Sequence, residues 1–204
     1  MKAPPLPSRL LVILLHGIGG TGATLLPLAT AWRQELPHAH FLAPDAPFPH
    51  PRGTGHQWFG VNGREFQPDR IKIVRDRFDA LIAELLDRQG FDGAADRFAF
   101  VGVSQGSIMA LDAVASGRWQ PGAVVSFAGL LPPVAISQAS VDTPILLVHG
   151  KEDRTIPSAA SVVAERQLQA AGFSTQLNIL PGVGHTISMD GAALALRFLR
   201  QTSV

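Results

Sequence analysis

Hydrophobic positions along this chain follow two rhythms. Leu10-Leu11-Val12-Ile13-Leu14-Leu15 is apolar without interruption, the pattern of a strand covered on both faces and hence of a parallel sheet. Similar short runs occur at Arg97 to Val103, Val124 to Ala128 and Pro144 to Gly150, with shorter candidates at Ala39 to Ala43 and Thr175 to Leu180. Between them the spacing changes to three and four. Ile71, Val74, Phe78, Leu81, Ile82, Leu85 and Leu86 mark an amphipathic helix from Asp69 to Gly90, opened by Pro68 and closed by Gly90. Further helices are predicted from about Thr24 to Leu36, Gln105 to Ser116, Ser158 to Ala171 and, at the end, to about Gln201. Phe78 and Met109 lie on such apolar stripes and are read as core. Strands separated by helices define an α/β fold, a mostly parallel, doubly wound sheet of about six strands whose ligands sit at the carboxyl ends of the strands.

The interruptions between these elements carry the chemistry. The run from Arg97 breaks off in Gly102-Val103-Ser104-Gln105-Gly106, after which a helix begins. Gly-x-Ser-x-Gly between a strand and a helix presents its serine on a sharp turn, with small residues where two backbones approach. The helix N-terminus behind it supplies positive potential. Ser104 is the candidate nucleophile. A serine hydroxyl needs a base to take its proton and a carboxylate to orient that base. Asp153 and His185 follow later strands, so Ser104, Asp153 and His185 occur in the chain order of α/β-hydrolases and each occupies the loop after a strand. Pro157 would stiffen the loop holding Asp153. Glu152 and Asp142 are nearby alternatives for the acid, and Asp190 suits the first turn of the last helix.

The first strand runs into His16-Gly17-Ile18-Gly19-Gly20-Thr21-Gly22, which supports two readings. Gly17, Gly19 and Gly22 spell the fingerprint of a dinucleotide-binding protein, with Asp45 at the distance of a ribose contact. The flanking Pro44 and Pro47 place Asp45 in a loop instead. The other reading is the His-Gly-x-Gly loop of ester hydrolases. It predicts an oxyanion hole from the backbone N–H groups of Ile18 and Gln105; because these are backbone donors, Gln105→Ala should matter less than moving the loop. Trp58 and Phe59, two large rings on the exposed irregular stretch from Pro44 to Pro68, and Leu130, after the strand from Val124 to Ala128, are candidate acyl contacts. The same stretch has a turn signal at Asn62-Gly63, consistent with a small hairpin.

Six other histidines compete with His185. His16 and His149 each precede a glycine at a strand end and are read as loop-ordering groups bonded to backbone. His38 and His40 form a surface pair without a third ligand at metal-binding spacing. His50 and His56 carry no assignment.

The chain has 204 residues, 46% of them hydrophobic and 16% charged, with a net charge of +1. That supports one domain over 1–204 and excludes the basic stripe of a nucleic-acid surface. The expected partner is a small-molecule or lipid-like substrate. There is no cysteine, hence no disulfide, thiolate metal site or cysteine nucleophile. The apolar run at Leu10 is too short for a signal h-region, and nothing approaches the ~18 apolar residues of a membrane span. The expectation is a cytoplasmic protein without stable membrane insertion; a homodimer is left open. The fifteen residues from Gly129 to Thr143 leave no room for a lid domain.

Taken together, Leu15 to Gly22, Trp58-Phe59, Gly102 to Gly106, His149-Gly150-Lys151-Glu152-Asp153-Arg154-Thr155-Ile156-Pro157 and Gly182-Val183-Gly184-His185 resemble the phospholipase/carboxylesterase family, which includes the acyl-protein thioesterases. The resemblance extends from about Leu10 to Leu199. It implies a lidless serine esterase or thioesterase of the α/β-hydrolase fold, with no cofactor and no metal, whose catalytic serine, aspartate and histidine fall on Ser104, Asp153 and His185. Two positions depart from the pattern: Gly20 stands where many members carry Asp, and Ser107 where a second Gly usually follows the elbow. Lysophospholipid, acylated-protein and short-chain ester substrates are equally consistent with these motifs.

Overall fold

A computed structural model describes residues 9–63, 66–93, 96–133 and 135–202; the proline-rich start of the chain lies outside them. The long strands are β1 (Leu10–Leu15), β2 (Ala39–Leu42), β5 (Arg97–Val103), β6 (Ala123–Phe127), β7 (Ile145–Gly150) and β8 (Thr175–Leu180). All pair in parallel, in the order β2-β1-β5-β6-β7-β8. From β1 the chain goes outward to β2 and returns to β5 on the other side. The order therefore reverses between β1 and β5, and the loops after these two strands flank the crevice where such sheets bind ligands.

The uninterrupted apolar character of β1 has a direct structural cause. Leu11, Ile13 and Leu15 join one core, with Phe78 and Ile82 of α2 (Pro68–Arg88), Met109 of α3 (Gln105–Ala115) and Leu168 of α4 (Ala159–Ala170). Leu10, Val12 and Leu14 join a second core on the other face, with Trp32 of α1 (Leu26–Trp32) and Phe198 of α5 (Met189–Thr202). Successive side chains point to opposite faces, so a strand between two helical layers has no polar position. Every residue of α3 is buried, including Asp112. Arg75 on α2 donates to both Asp112 oxygens, at 3.0 and 2.7 Å, and Arg118 donates at 2.8 Å. These charge-assisted bonds meet the buried carboxylate and tie the two helices together.

Two elements differ from the sequence pattern. The expected helix from Thr24 to Leu36 is a 3-10 turn, Gly22–Leu25, followed by α1 alone. Pro27 starts that helix because it has no N–H to leave unpaired, and Pro37 disfavours helical geometry at the residue before it. The paired segments in the long loop are β3 (Phe48–Pro49) and β4 (His56–Gln57) rather than strands around Asn62-Gly63. Gly63 does turn with φ of 78°, and residues 64–65 lie outside the described set. Between β6 and β7 the described residues form one 3-10 turn, Gln138–Ser140, and no lid. No described helix is long and apolar enough to cross a membrane.

Arg9 fastens the start of β1 to the far end of α2 and to Asp96. Its guanidinium donates to Gly90 O at 2.8 Å, Gln89 O at 3.1 Å and Asp96 Oδ1 at 3.1 Å. The Arg9 contact, helped by the Asp92 N–H, holds the Asp96 carboxyl at about 2, below its ordinary value. A carboxyl depressed in the folded state stabilises it fully above the unfolded pKa, roughly 4, and loses that contribution as pH falls through the folded value. Asp96→Asn is thus expected to lower Tm at pH 7, with the gap to wild type closing between pH 4 and pH 2 in melts followed by circular dichroism. A gap independent of pH would contradict the assignment.

Candidate active site

Ser104 lies between β5 and α3 with φ of 54° and ψ of −118°, a strained conformation for a residue with a side chain and one that concentrates at functional sites. Close packing enforces the turn. A Cβ on Gly106 would come within 2.1 Å of Leu15 O, and one on Gly102 within 2.4 Å of the Ser107 nitrogen. Glycine at 106 lets the start of α3 meet the end of β1, and glycine at 102 lets it meet β5.

The turn brings Ser104 Oγ to 3.0 Å from His185 Nε2, and His185 Nδ1 lies 2.6 Å from Asp153 Oδ2. Residues separated by 49 and 32 positions in sequence thus form one hydrogen-bonded line at the carboxyl ends of β5, β7 and β8. The His185 loop is docked on the Asp153 loop, with Lys151 N–H on Leu180 O and Glu152 N–H on Val183 O. Gly150 permits this, since a Cβ there would lie 2.2 Å from Val183 O. Burial is the largest influence on Asp153 and raises its pKa, but the hydrogen bonds from His185, Ile156 N–H and Thr155 N–H together hold it below the ordinary value. Asp153 is therefore anionic at neutral pH and accepts the Nδ1 hydrogen, which leaves the Nε2 lone pair facing Ser104. Of the alternatives for the acid, Glu152 is exposed, Asp142 sits beyond the opposite end of β7, and Asp190 occupies the first turn of α5.

The glycine-rich loop packs against this line, with a Cβ on Gly17 placed 3.4 Å from that of Ser104. Gly19 N–H donates to His56 O and His56 N–H to Gly20 O, both at 2.8 Å, so the β3–β4 hairpin pins the loop. His16 pins it from below. Its Nδ1 meets Gly17 O at 2.7 Å and its Nε2 accepts the Ala46 N–H at 2.9 Å. Burial foremost lowers the His16 pKa, as a ring that must keep one nitrogen as an acceptor requires. Neither the Ile18 nor the Gln105 N–H donates to a protein acceptor among the described residues. Asp45, expected at ribose distance in the dinucleotide reading, instead accepts the Gly22 N–H at 2.7 Å. That occupies the helix start which a pyrophosphate would need.

Two expectations are corrected. Trp58 and Phe59 do not present their rings on exposed chain. Trp58 is 0% exposed and Phe59 4%; the indole N–H donates to His16 O at 2.7 Å, and the ring lies 5.6 Å from both His16 and Phe78. The indole satisfies its one polar atom on the loop backbone and fills the core beneath it. Leu130 is partly buried against the same core. The Gln105 side chain is also no bystander to its backbone. It is buried, accepts the Trp58 N–H at 3.0 Å and donates to Phe59 O at 2.8 Å. His149 was expected to bond backbone; it does so at Ile156 O, and it also reaches Asp153. His38 and His40 are exposed.

The fold and this serine–histidine–carboxylate arrangement define an α/β-hydrolase. The model of the phospholipase/carboxylesterase family matches residues 1–203, and the chain belongs to that family. It is 28% identical over 204 residues to esterase YpfH of Escherichia coli K12, covering 99% of this chain and 87% of that protein. With acyl-protein thioesterase 1 of Saccharomyces cerevisiae it shares 29% identity over 215 residues, covering 96% and 94%. Among solved structures, esterase PE8 superposes with a TM-score of 0.82 at 31% identity, covering 96% of this chain and 94% of PE8. The protein is a carboxylic ester hydrolase.

Removing the Gln105 amide strands a buried donor at Trp58 and a buried acceptor at Phe59, each costing ~1–3 kcal/mol. Gln105→Ala should accordingly lose ~2–6 kcal/mol in urea unfolding, and Gln105→Glu should not restore wild-type stability, because it keeps the acceptor for Trp58 but sets a carboxylate oxygen against Phe59 O. Wild-type stability in the alanine variant would rule out the clamp.

Proposed function

We propose that the protein hydrolyses carboxyl esters or thioesters through an acyl-enzyme formed on Ser104. The observation that carries this reading is His185 bridging Ser104 Oγ and Asp153 Oδ2 at 3.0 and 2.6 Å. Ser104 Oγ attacks the substrate carbonyl carbon while its proton passes to His185 Nε2. Asp153 holds the ring in the tautomer that can accept that proton and then stabilises the imidazolium. The carbonyl oxygen becomes an oxyanion, met by the N–H groups of Ile18 and Gln105. When the tetrahedral intermediate collapses, His185 returns the proton to the departing alcohol or thiol, and the acyl group remains on Ser104. Water, deprotonated by His185, then attacks the acyl carbon, and as the second tetrahedral intermediate collapses His185 returns that proton to Ser104 Oγ, which leaves as the acid is released.

The acyl chain is assigned to the side of Leu130, which follows β6 where Phe127 O accepts the Ser104 N–H. The Ile18 side chain, 41% exposed, offers a second apolar contact at the mouth. Trp58 and Phe59 support the loop from within.

The test is hydrolysis of p-nitrophenyl esters from acetate to palmitate, alongside acyl thioesters, by wild type, Ser104→Ala, His185→Ala and Asp153→Ala. The serine and histidine variants are expected to lose kcat by ~10⁴-fold or more, and the aspartate variant by about 10⁴-fold. The chain length giving the highest kcat/KM then identifies the acyl class. Full activity in Ser104→Ala would overturn the mechanism.

A further inference from the structure

His149 is the penultimate residue of β7 and is 1% exposed. A buried histidine at the end of a strand usually fills space or braces a loop. This one is bonded at both nitrogens. Nε2 lies 2.8 Å from Ile156 O and 3.2 Å from Asp153 Oδ2, while Nδ1 lies 2.7 Å from Ser161 Oγ on α4. Both neighbours of Nε2 are acceptors, so Nε2 carries the hydrogen and shares it between them. Nδ1 is then free to accept the Ser161 hydroxyl proton at 2.7 Å, a closer acceptor than Gly129 O at 3.4 Å. The partners thus select one ring orientation and place the hydrogen on Nε2.

The consequence falls on Asp153. Its Oδ1 accepts two backbone hydrogens, from Thr155 at 2.8 Å and Ile156 at 3.0 Å. Its Oδ2 accepts His185 Nδ1 at 2.6 Å and His149 Nε2 at 3.2 Å. An ionised carboxylate has about four acceptor sites, and all four are used here. The donors differ in what they can hold. Thr155 and Ile156 fix one oxygen, about which the carboxylate can still pivot. His185 comes from a loop and is itself the group to be oriented. Of the two donors to Oδ2, His149 alone is seated in the sheet.

We infer that His149 is a positioning residue of the hydrolytic reaction. It fixes Asp153 Oδ2 from the sheet side so that the carboxylate, rather than the His185 loop, sets the direction of the imidazole. Ser161 supports it by selecting the tautomer. The line at the site is accordingly five side chains long, Ser104, His185, Asp153, His149 and Ser161, and it ends inside α4.

This inference rests on the proposed Ser104 chemistry, and the two fail separately. Ser104→Ala tests the chemistry without touching His149. For the positioning role, His149→Phe keeps a ring and removes both nitrogens, whereas His149→Gln carries an amide N–H to about the place of Nε2. In His149→Phe, kcat is expected to fall ~10- to 100-fold, a range typical of removing the partner that orients a functional ligand, with KM changed less than about twofold. His149→Gln should recover most of the loss. In an Asp153→Ala background His149→Phe should change kcat less than about twofold, since a residue acting through Asp153 has nothing left to act on. An equal factor in both backgrounds, or a kcat in His149→Phe equal to wild type, overturns the inference. Should His149→Phe fail to fold, Ser161→Ala leaves the ring in place and is expected to lower kcat severalfold, again only when Asp153 is present; unchanged kcat there overturns it equally.

Discussion

Everything at the carboxyl edge of the sheet depends on the left-handed turn at Ser104. A residue with a side chain held at φ of 54° costs on the order of 1–3 kcal/mol, and such a turn persists only where its surroundings leave no alternative. Here β5 is hydrogen-bonded on both sides, α3 is buried along its whole length, and Leu15 O fills the space beside Gly106. Relaxing the turn would mean withdrawing α3 from the core. The packing of a buried helix thus holds a hydroxyl at the carboxyl edge of the sheet, and the position of Ser104 is a property of the whole sheet rather than of its loop.

The same division of labour recurs around the crevice. In the glycine-rich loop the Ile18 N–H has no protein acceptor among the described residues, while the polar atoms around it are held: His16 on Gly17 O, the Trp58 indole on His16 O, His56 on Gly19 and Gly20, and Asp45 on the Gly22 N–H. Across the crevice a buried carboxylate is held by four donors. In each case a flexible piece of backbone or a rotatable side chain is fixed by buried hydrogen bonds, which strengthen and become costly to leave unmade as water is excluded.

This division explains what could be read from sequence. The two-faced burial of β1 is written in its six apolar residues, and the helix spacing from Ile71 to Leu86 identifies α2 nearly to its ends. The order of Ser104, Asp153 and His185 could be read because each follows a strand, and strand ends in a parallel sheet share one edge. What escaped were partnerships between distant residues. Nothing local distinguishes the buried Trp58 from an exposed one, because the atom that satisfies it, His16 O, lies 42 positions away. The amide of Gln105 was overlooked for the same reason: its partners at 58 and 59 are 47 and 46 positions distant. The shortened α1, by contrast, had its signal in plain view at Pro27 and Pro37.

Gln105 joins the two halves of the crevice in a further way. Its backbone N–H, at the start of α3, has no protein acceptor among the described residues, while its amide grips the 58–59 backbone, whose indole grips His16 two residues before Ile18. One residue therefore spans from the elbow to the loop, with the indole as its extension. If the Ile18 and Gln105 N–H groups are the donors proposed above, the gap between them behaves like the opening of a caliper whose jaws are set by the length of a single glutamine, so its width is fixed by the core and does not follow the motion of either loop.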